Sequence, residues 1–314
     1  MKTRVIAVVG PTASGKTTLA VELAKRLNGE IVSADSMQIY KGMNIATAKP
    51  TKEEMQGIEH HMLDFLDVTT RYSVAEYVRA AHKCIEQIAG KGKLPIVCGG
   101  TGLYIDSLLK NIDFGSDDED IEKRDEIRRV CKDYTGEELL KMLASFDPET
   151  ADKLHPNNRG RIIRAIEVYT LTGITQSEAV RRSKLKESPY DVTYIGLNCE
   201  KRAYLYKRID KRVDDMMEKG LFEEAREYIN LYDNSTAAQA IGYKELAPAI
   251  LDKMSVEMAL DSLKQATRRY AKRQLTWFRK NKEINWLCPE KYQSIDELAD
   301  EAVKIIKAGN KNEK

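Results

Sequence analysis

Apolar residues along the chain follow two alternating patterns. Short continuous runs at 5–9, 30–34, 93–98 and 191–197 have the length of buried parallel strands. Between them, apolar residues recur three and four apart. Leu19, Ala20, Leu23, Ala24 and Leu27 make one helical face, and Asn28-Gly29 ends it. Ser73 and Glu76 stand at capping-box spacing at the start of a second helix, which Gly90 and Gly92 terminate. Strands alternating with helices predict a parallel α/β sheet. The alternation stops after Gly115. An acidic loop occupies 116–120, and from Ile121 to about Arg182 every pattern is helical, with candidates at 122–134, 136–144, 149–154 and 161–171. A linker at 183–189 precedes the next strand. The expected organisation is an α/β core over 1–114 and 190–314, interrupted by an all-helical domain over 115–189. Beyond Arg202 a long amphipathic helix runs through Tyr206, Ile209 and Val213 to Gly220, with Arg208 and Arg212 one turn apart on the same face. A turn at 232–236 and a further helical pair from Ala237 follow, and the tail from Asn310 is polar.

Composition narrows the function classes. The 314 residues hold 51 basic and 49 acidic side chains, so a nucleic-acid partner has to show itself in local clustering rather than in net charge. One cluster exists. Residues 264–282 carry eight Lys or Arg and no acid, interleaved with Tyr270, Trp277 and Phe278, a pattern suited to a nucleic-acid backbone. No run of 18 apolar residues occurs, and Met1-Lys-Thr-Arg leads straight into the first strand, so neither a membrane span nor a leader is expected. The five cysteines are scattered without a C-x-x-C pair, as in reduced thiols of a cytoplasmic protein. The chain is expected to be a monomer, since an inserted module already makes it bilobed.

The candidate chemistry lies at the ends of the strands. Gly10-Pro-Thr-Ala-Ser-Gly-Lys-Thr17 matches the phosphate-loop pattern G-x-x-x-x-G-K-[ST], between a strand and a helix as that loop requires. Its backbone N–H groups, from Thr12, Ala13, Ser14 and Gly15 into the helix, are expected to cradle a polyphosphate. Lys16 would reach the terminal phosphates, and the Thr17 hydroxyl would ligate Mg²⁺. The second strand ends at Asp35, on the edge where open α/β sheets place their chemistry. The strand at 93–98 delivers Gly99-Gly-Thr-Gly102 to the same edge, with the Thr101 hydroxyl aimed toward the phosphate loop. His60 and His61 are adjacent, face opposite ways on an extended segment, and are not expected to share a metal. No apolar run ends in an Asp-Glu pair, which disfavours ATP hydrolysis coupled to work. Arg159, Arg161 and Arg164 cluster without an acid and suit phosphate contact. These features alone leave three readings open: a transferase acting on a diphosphate, a small-molecule or nucleoside kinase, and a non-catalytic nucleotide switch or RNA-binding protein.

The phosphate loop, Asp35-Ser-Met-Gln-Ile-Tyr, His60-His61 with Asp64, Gly99-Gly-Thr-Gly-Leu-Tyr and Thr267-Arg-Arg-Tyr-Ala-Lys-Arg-Gln-Leu-Thr-Trp occur in one order, from about residue 5 to 288. Together they resemble the bacterial tRNA dimethylallyltransferases. The resemblance implies a P-loop NTPase-like core whose loop holds the diphosphate of dimethylallyl diphosphate rather than ATP, with Mg²⁺. It implies transfer of the dimethylallyl group to N6 of adenosine 37, beside the anticodon of tRNA. It assigns proton acceptance to Asp35, a place near the scissile oxygen to Thr101, and diphosphate contact to Arg208. Ser36, Met37 and Gln38 fall where the family reads the target base, and Arg124, Arg159, Gly160, Arg161, Ile162 and Ile163 where it contacts tRNA. The C-terminal zinc-finger spacing of eukaryotic relatives is missing, and Cys288 stands alone.

Overall fold

Six parallel strands form one sheet in the order β3-β2-β4-β1-β5-β6. They are β1 (Thr3–Val9), β2 (Gly29–Ser33), β3 (His60–His61), β4 (Leu94–Gly99), β5 (Tyr190–Leu197) and β6 (Asn285–Leu287). The structure, a computed structural model, describes residues 2–112, 121–184, 187–229, 236, 237 and 240–309. The acidic loop at 116–120, most of the turn at 232–236, part of the linker at 183–189 and the tail from Asn310 lie outside the described residues. β1 is central, between β4 and β5, and Val5 to Val9 are all fully buried, which is why that run is apolar at every position rather than at alternate ones.

The helices α1 (Lys16–Leu27) and α14 (Ile295–Gly309) cover one face of the sheet, packing on Ile6, Val8, Ile31, Ile96, Ile195 and Leu197. The short helix α2 (Lys52–Met55) lies in the connection between β2 and β3. The next two helices are α3 (Val74–Gly90) and α4 (Gly102–Leu109), joined by stacked rings of Tyr77 and Tyr104 at 4.0 Å. The expected capping box is present at the start of α3, where Ser73 Oγ accepts from Glu76 N and Glu76 Oε2 from Ser73 N.

The chain divides into two compact units, Met1–Leu109 with Pro189–Lys314, and Lys110–Ser188. The second contains α5 (Ile121–Lys132), α6 (Gly136–Ala144), α7 (Pro148–Ala151), α8 (Arg159–Thr172) and α9 (Gln176–Lys184) around Leu139, Leu143, Ile162 and Ala165. Glu167 is buried there and is balanced by Arg128 at 2.5 Å and Arg164 at 3.2 Å. In the first unit, β5 leads to α10 (Arg202–Glu218), α11 (Leu221–Tyr228), α12 (Tyr243–Ile250) and α13 (Val256–Phe278). These pack with the segment after β2 in a second apolar cluster that includes Ile39, Tyr40, Met43, Val213, Leu221, Leu246 and Leu263.

Candidate active site

β1, β2 and β4 all end on one edge, and each contributes a turn there. The turn after β1 is the phosphate loop. Ala13 (φ 61°) and Gly15 (φ 92°) are both left-handed, and no side chain caps α1 at its N-terminus. With no acid in the first turn either, the free N–H groups and the positive end of the helix dipole are left for an anion. Ser14 Oγ is buried without a hydrogen-bond partner among the described residues, which suits it to donate to an oxyanion. Lys16 Nζ makes one long contact, 3.3 Å to Pro11 O. Burial holds the Lys16 pKa below its ordinary value, and the Arg212 cation adds to the effect. Arg212 is depressed by burial as well, with the Asp35 charge opposing. Two desolvated cations on one wall favour a polyanionic ligand.

The turn after β2 holds Asp35 still. Its Oδ1 accepts from Met37 N at 2.9 Å and Gln38 N at 3.4 Å, which leaves Oδ2 for another partner. The turn after β4 is locked to it. Ala34 N donates to Cys98 O at 2.8 Å and Thr101 N to Ala34 O at 3.2 Å. A Cβ on Gly99 would lie 2.1 Å from Ala34 O, so only glycine permits that approach. Thr101 Oγ1 accepts from Ser36 N at 3.1 Å.

These turns open on a cavity of about 540 Å³, the size of a small-molecule site. Its polar wall has Thr12, Lys16, Thr17, Asp35 and Arg212, and its apolar wall has Ala46, Val213, Met216, Leu221, Ile241 and Leu263. Ser36, Met37 and Gln38 also line it. Gln38 is fully engaged, accepting from Ser33 Oγ and donating to the carbonyls of Thr47 and Ala48, each at 3.2 Å. The Thr101 hydroxyl also donates to Ser36 Oγ at 3.4 Å and meets Tyr270, both of which line the cavity. Arg208 Nε donates to Ala13 O at 2.8 Å, and its guanidinium reaches within 3.7 Å of where a Cβ on Gly15 would stand, so it sits against the phosphate loop, while Arg212 one turn later lines the cavity.

In the helical unit, Arg159 donates to the carbonyls of Tyr134 (2.5 Å) and Cys131 (3.1 Å), closing the end of α5. Ile162 is fully buried in that unit's core and Ile163 packs against it, so neither offers a free side chain. Gly160 and Arg161 are exposed at the start of α8, and Arg124 is half-buried on α5.

The basic segment at 264–282 is only partly a solvent face. Lys264 and Arg268 pair with Asp214 and Asp210 of α10, at 2.6 and 2.5 Å. Tyr270, Arg273 and Gln274 line the cavity. Gln274 Oε1 accepts from Thr12 N at 2.8 Å and its Nε2 donates to Gly100 O at 3.0 Å, tying the phosphate loop to the glycine turn; with Ser14 N donating to Pro11 O, the Thr12 and Ser14 amides expected to cradle phosphate are already engaged. A Cβ on Gly100 would be 2.2 Å from that Nε2, and one on Gly102 2.3 Å from the Trp277 ring. Those glycines therefore serve the close approach of α13. Sequence reasoning missed Gln274, and its neutral side chain within a cationic run carried no signal. It had a signal for Arg212 in the spacing from Arg208.

His60 and His61 face opposite ways, as expected: His60 Nδ1 meets Ile58 O and His61 Nε2 meets Glu30 Oε2. Glu30, Glu59 and His61 are close enough to hold a metal, but Lys91 and Lys93 already pair with Glu30 at 3.1 and 2.7 Å. Among the described residues no helix is long and apolar enough to cross a membrane.

The family model described as IPP transferase matches residues 38–281. A tRNA dimethylallyltransferase of Oceanobacillus iheyensis is 46% identical over 307 residues, 98% of this chain and 96% of that protein. One from Caldanaerobacter subterraneus subsp. tengcongensis is 45% identical over 303 residues, covering 96% of each. The crystal structure of a tRNA isopentenylpyrophosphate transferase from Staphylococcus epidermidis is similar at 44% identity and a TM-score of 0.71, over 98% of this chain and 99% of that one. A eukaryotic dimethylallyltransferase captured acting on tRNA aligns at 31% identity and a TM-score of 0.80, over 91% of this chain and 74% of the other. On the extent of these matches and the six-stranded sheet, the chain belongs to the IPP transferase family.

Proposed function

We propose that the chain transfers the dimethylallyl group of dimethylallyl diphosphate to N6 of adenosine 37 in tRNA and releases diphosphate. The observation that carries this reading is a single cavity with a phosphate loop, a carboxylate and an apolar wall. The diphosphate lies at the uncapped N-terminus of α1, on the amides that remain free there, with Ser14 Oγ, Lys16 and Arg212 beside it and Arg208 against the loop at Ala13 and Gly15. The five-carbon chain lies against the apolar wall. The N6 lone pair attacks the allylic carbon, a C–N bond forms, and the C–O bond breaks with its electron pair going to diphosphate. The N6 proton passes to Asp35 Oδ2. Adenine N6 is a weak nucleophile, so removal of its proton as the bond forms and stabilisation of the leaving charge are the two contributions needed. Thr101 supports the Asp35–Ser36 turn beside the leaving oxygen, and Ser36, Met37 and Gln38 border the base. The base has to leave its stack to enter, at a cost of about a few kcal/mol.

Mg²⁺ takes hard oxygen ligands and keeps several waters. A threonine hydroxyl at position 17 beside a phosphate loop, with a carboxylate on the same wall, fits it. When bound it neutralises part of the diphosphate charge. In the same reading Arg161 and Gly160, at the exposed start of α8, with Arg124, Arg159 and the backbone of Ile162 and Ile163, belong to the tRNA-binding part of the helical domain. The enzyme works in the cytoplasm, as a monomer.

The test is incubation with labelled dimethylallyl diphosphate, Mg²⁺ and bulk tRNA, in parallel with labelled ATP and nucleosides. Label is expected on tRNA with one diphosphate released per transfer. Transfer from ATP to a nucleoside establishes a kinase instead, and binding of tRNA without transfer a non-catalytic protein.

A further inference from the structure

We infer that Glu224, which does not line the cavity, sets the length of prenyl chain that the cavity accepts. The inference rests on the prenyl-transfer reading above. Residues 46–48 form part of the cavity wall, and the amides of the stretch that leads into them, 44–46, all turn toward one carboxylate. Glu224 Oε2 accepts from Asn44 N at 3.0 Å and Ile45 N at 2.8 Å, and Oε1 from Ala46 N at 2.9 Å. Three consecutive amides turned toward one anion form a nest of the kind that binds free anions elsewhere. Tyr243, at the start of α12, donates its hydroxyl to Oε1 at 2.9 Å and fixes the carboxylate from the other side.

The loop closes against Gly242, another wall residue. A Cβ on Gly242 would come within 3.2 Å of the Ala46 Cβ, so the two sides nearly touch where Ala46 stands. The position of Ala46 therefore decides where the apolar end of the cavity stops. Gln38 holds the carbonyls of Thr47 and Ala48, but the amides of residues 44–46 depend on Glu224. Glu224→Ala frees them and lets the wall retreat. Glu224→Gln should act in nearly the same way: whichever way its amide is turned, an NH₂ group faces a backbone N–H.

Steady-state transfer to one tRNA from dimethylallyl diphosphate and from the ten-carbon geranyl diphosphate tests this. A shape-fitted apolar pocket discriminates by about 10–200-fold per methylene. Glu224→Ala and Glu224→Gln are each expected to raise KM for dimethylallyl diphosphate about tenfold, with kcat within about threefold of wild type. Each should also erode discrimination against the ten-carbon chain at least about tenfold. The Kd for tRNA should not change. Tyr243→Phe, which keeps the three amide bonds, should shift both readouts in the same direction by less. Wild-type KM and discrimination in Glu224→Ala overturn the inference, as does Glu224→Gln behaving as wild type. If Glu224→Ala does not fold, wild-type discrimination in both Glu224→Gln and Tyr243→Phe overturns it. A wild-type protein that transfers neither chain overturns the prenyl-transfer reading, and this inference with it.

Discussion

At the scale of single residues, β2 and the turn after it carry two carboxylates with opposite tasks. Asp35, just past the strand's end, is held by backbone amides on one oxygen and offers the other to the cavity. Asparagine there keeps an oxygen for Met37 N but takes no proton at neutral pH. Asp35→Asn is expected to lower the single-turnover rate about 10²–10⁴-fold while the affinity for dimethylallyl diphosphate stays near wild type. Transfer at the wild-type rate removes Asp35 from the chemistry. Glu30, near the start of the strand, is buried. Burial alone would raise its pKa, but hydrogen bonds from Lys93, His61 and Lys91 bring it down to about 2. A carboxylate depressed in the folded state stabilises the protein fully above its unfolded pKa, near 4.5. That contribution fades as the pH falls and is gone below about 2. In urea unfolding, Glu30→Gln should therefore be less stable than wild type at pH 7, with the gap closing as pH drops from 4.5 toward 2. A gap that does not change across that window places the contribution of Glu30 elsewhere.

At the scale of elements, α13 combines two roles on one helix. Ala259, Leu263, Ala271, Gln274 and Phe278 are its buried positions, and Lys264 and Arg268 are spent on α10. Arg269 and Lys272 remain on its solvent side, and Arg279 is exposed at its C-cap. Changing these three to Gln should weaken all tRNAs alike. It should also flatten the salt dependence of binding, by about one unit of log–log slope for each phosphate that no longer meets a cation. KM for dimethylallyl diphosphate should not move, since Arg273, the α13 cation in the cavity wall, is left in place. An unchanged salt slope assigns α13 to the core and the cavity alone.

At the scale of the whole molecule, the two units have separate cores. Ile162 is central to the helical one. Ile162→Ala should cost about 2–5 kcal/mol, the usual range for emptying a packed aliphatic site. If each unit opens on its own, hydrogen exchange should accelerate in α5, α6 and α8 and leave β1 and β4 at wild-type protection. Acceleration throughout the sheet makes the chain a single cooperative structure.

What the sequence determined by itself was local. The continuous run at 5–9 specifies a strand covered on both faces, Ser73 and Glu76 specify where α3 begins, and the phosphate-loop pattern encodes its own left-handed turn. The loss of strand runs after Gly115 marks the helical stretch. Each of these depends on neighbours within a few residues, where backbone sterics and the periods of helix and strand act. β3, with two residues, and β6, with three, are too short to show any period, and pairing with β2 and β5 alone makes them strands. The tertiary structure decided the rest of the site. Arg208 bonds the loop at Ala13 O and Arg212 lines the cavity, although the two share a helix face. The bonds from Gln274 to Thr12 and Gly100, and from Glu224 to Asn44, Ile45 and Ala46, join groups between 174 and 262 residues apart. No local preference encodes such pairs; they form because packing of the sheet and the helices after β5 brings polar side chains to backbone N–H and C=O groups that would otherwise lack a partner.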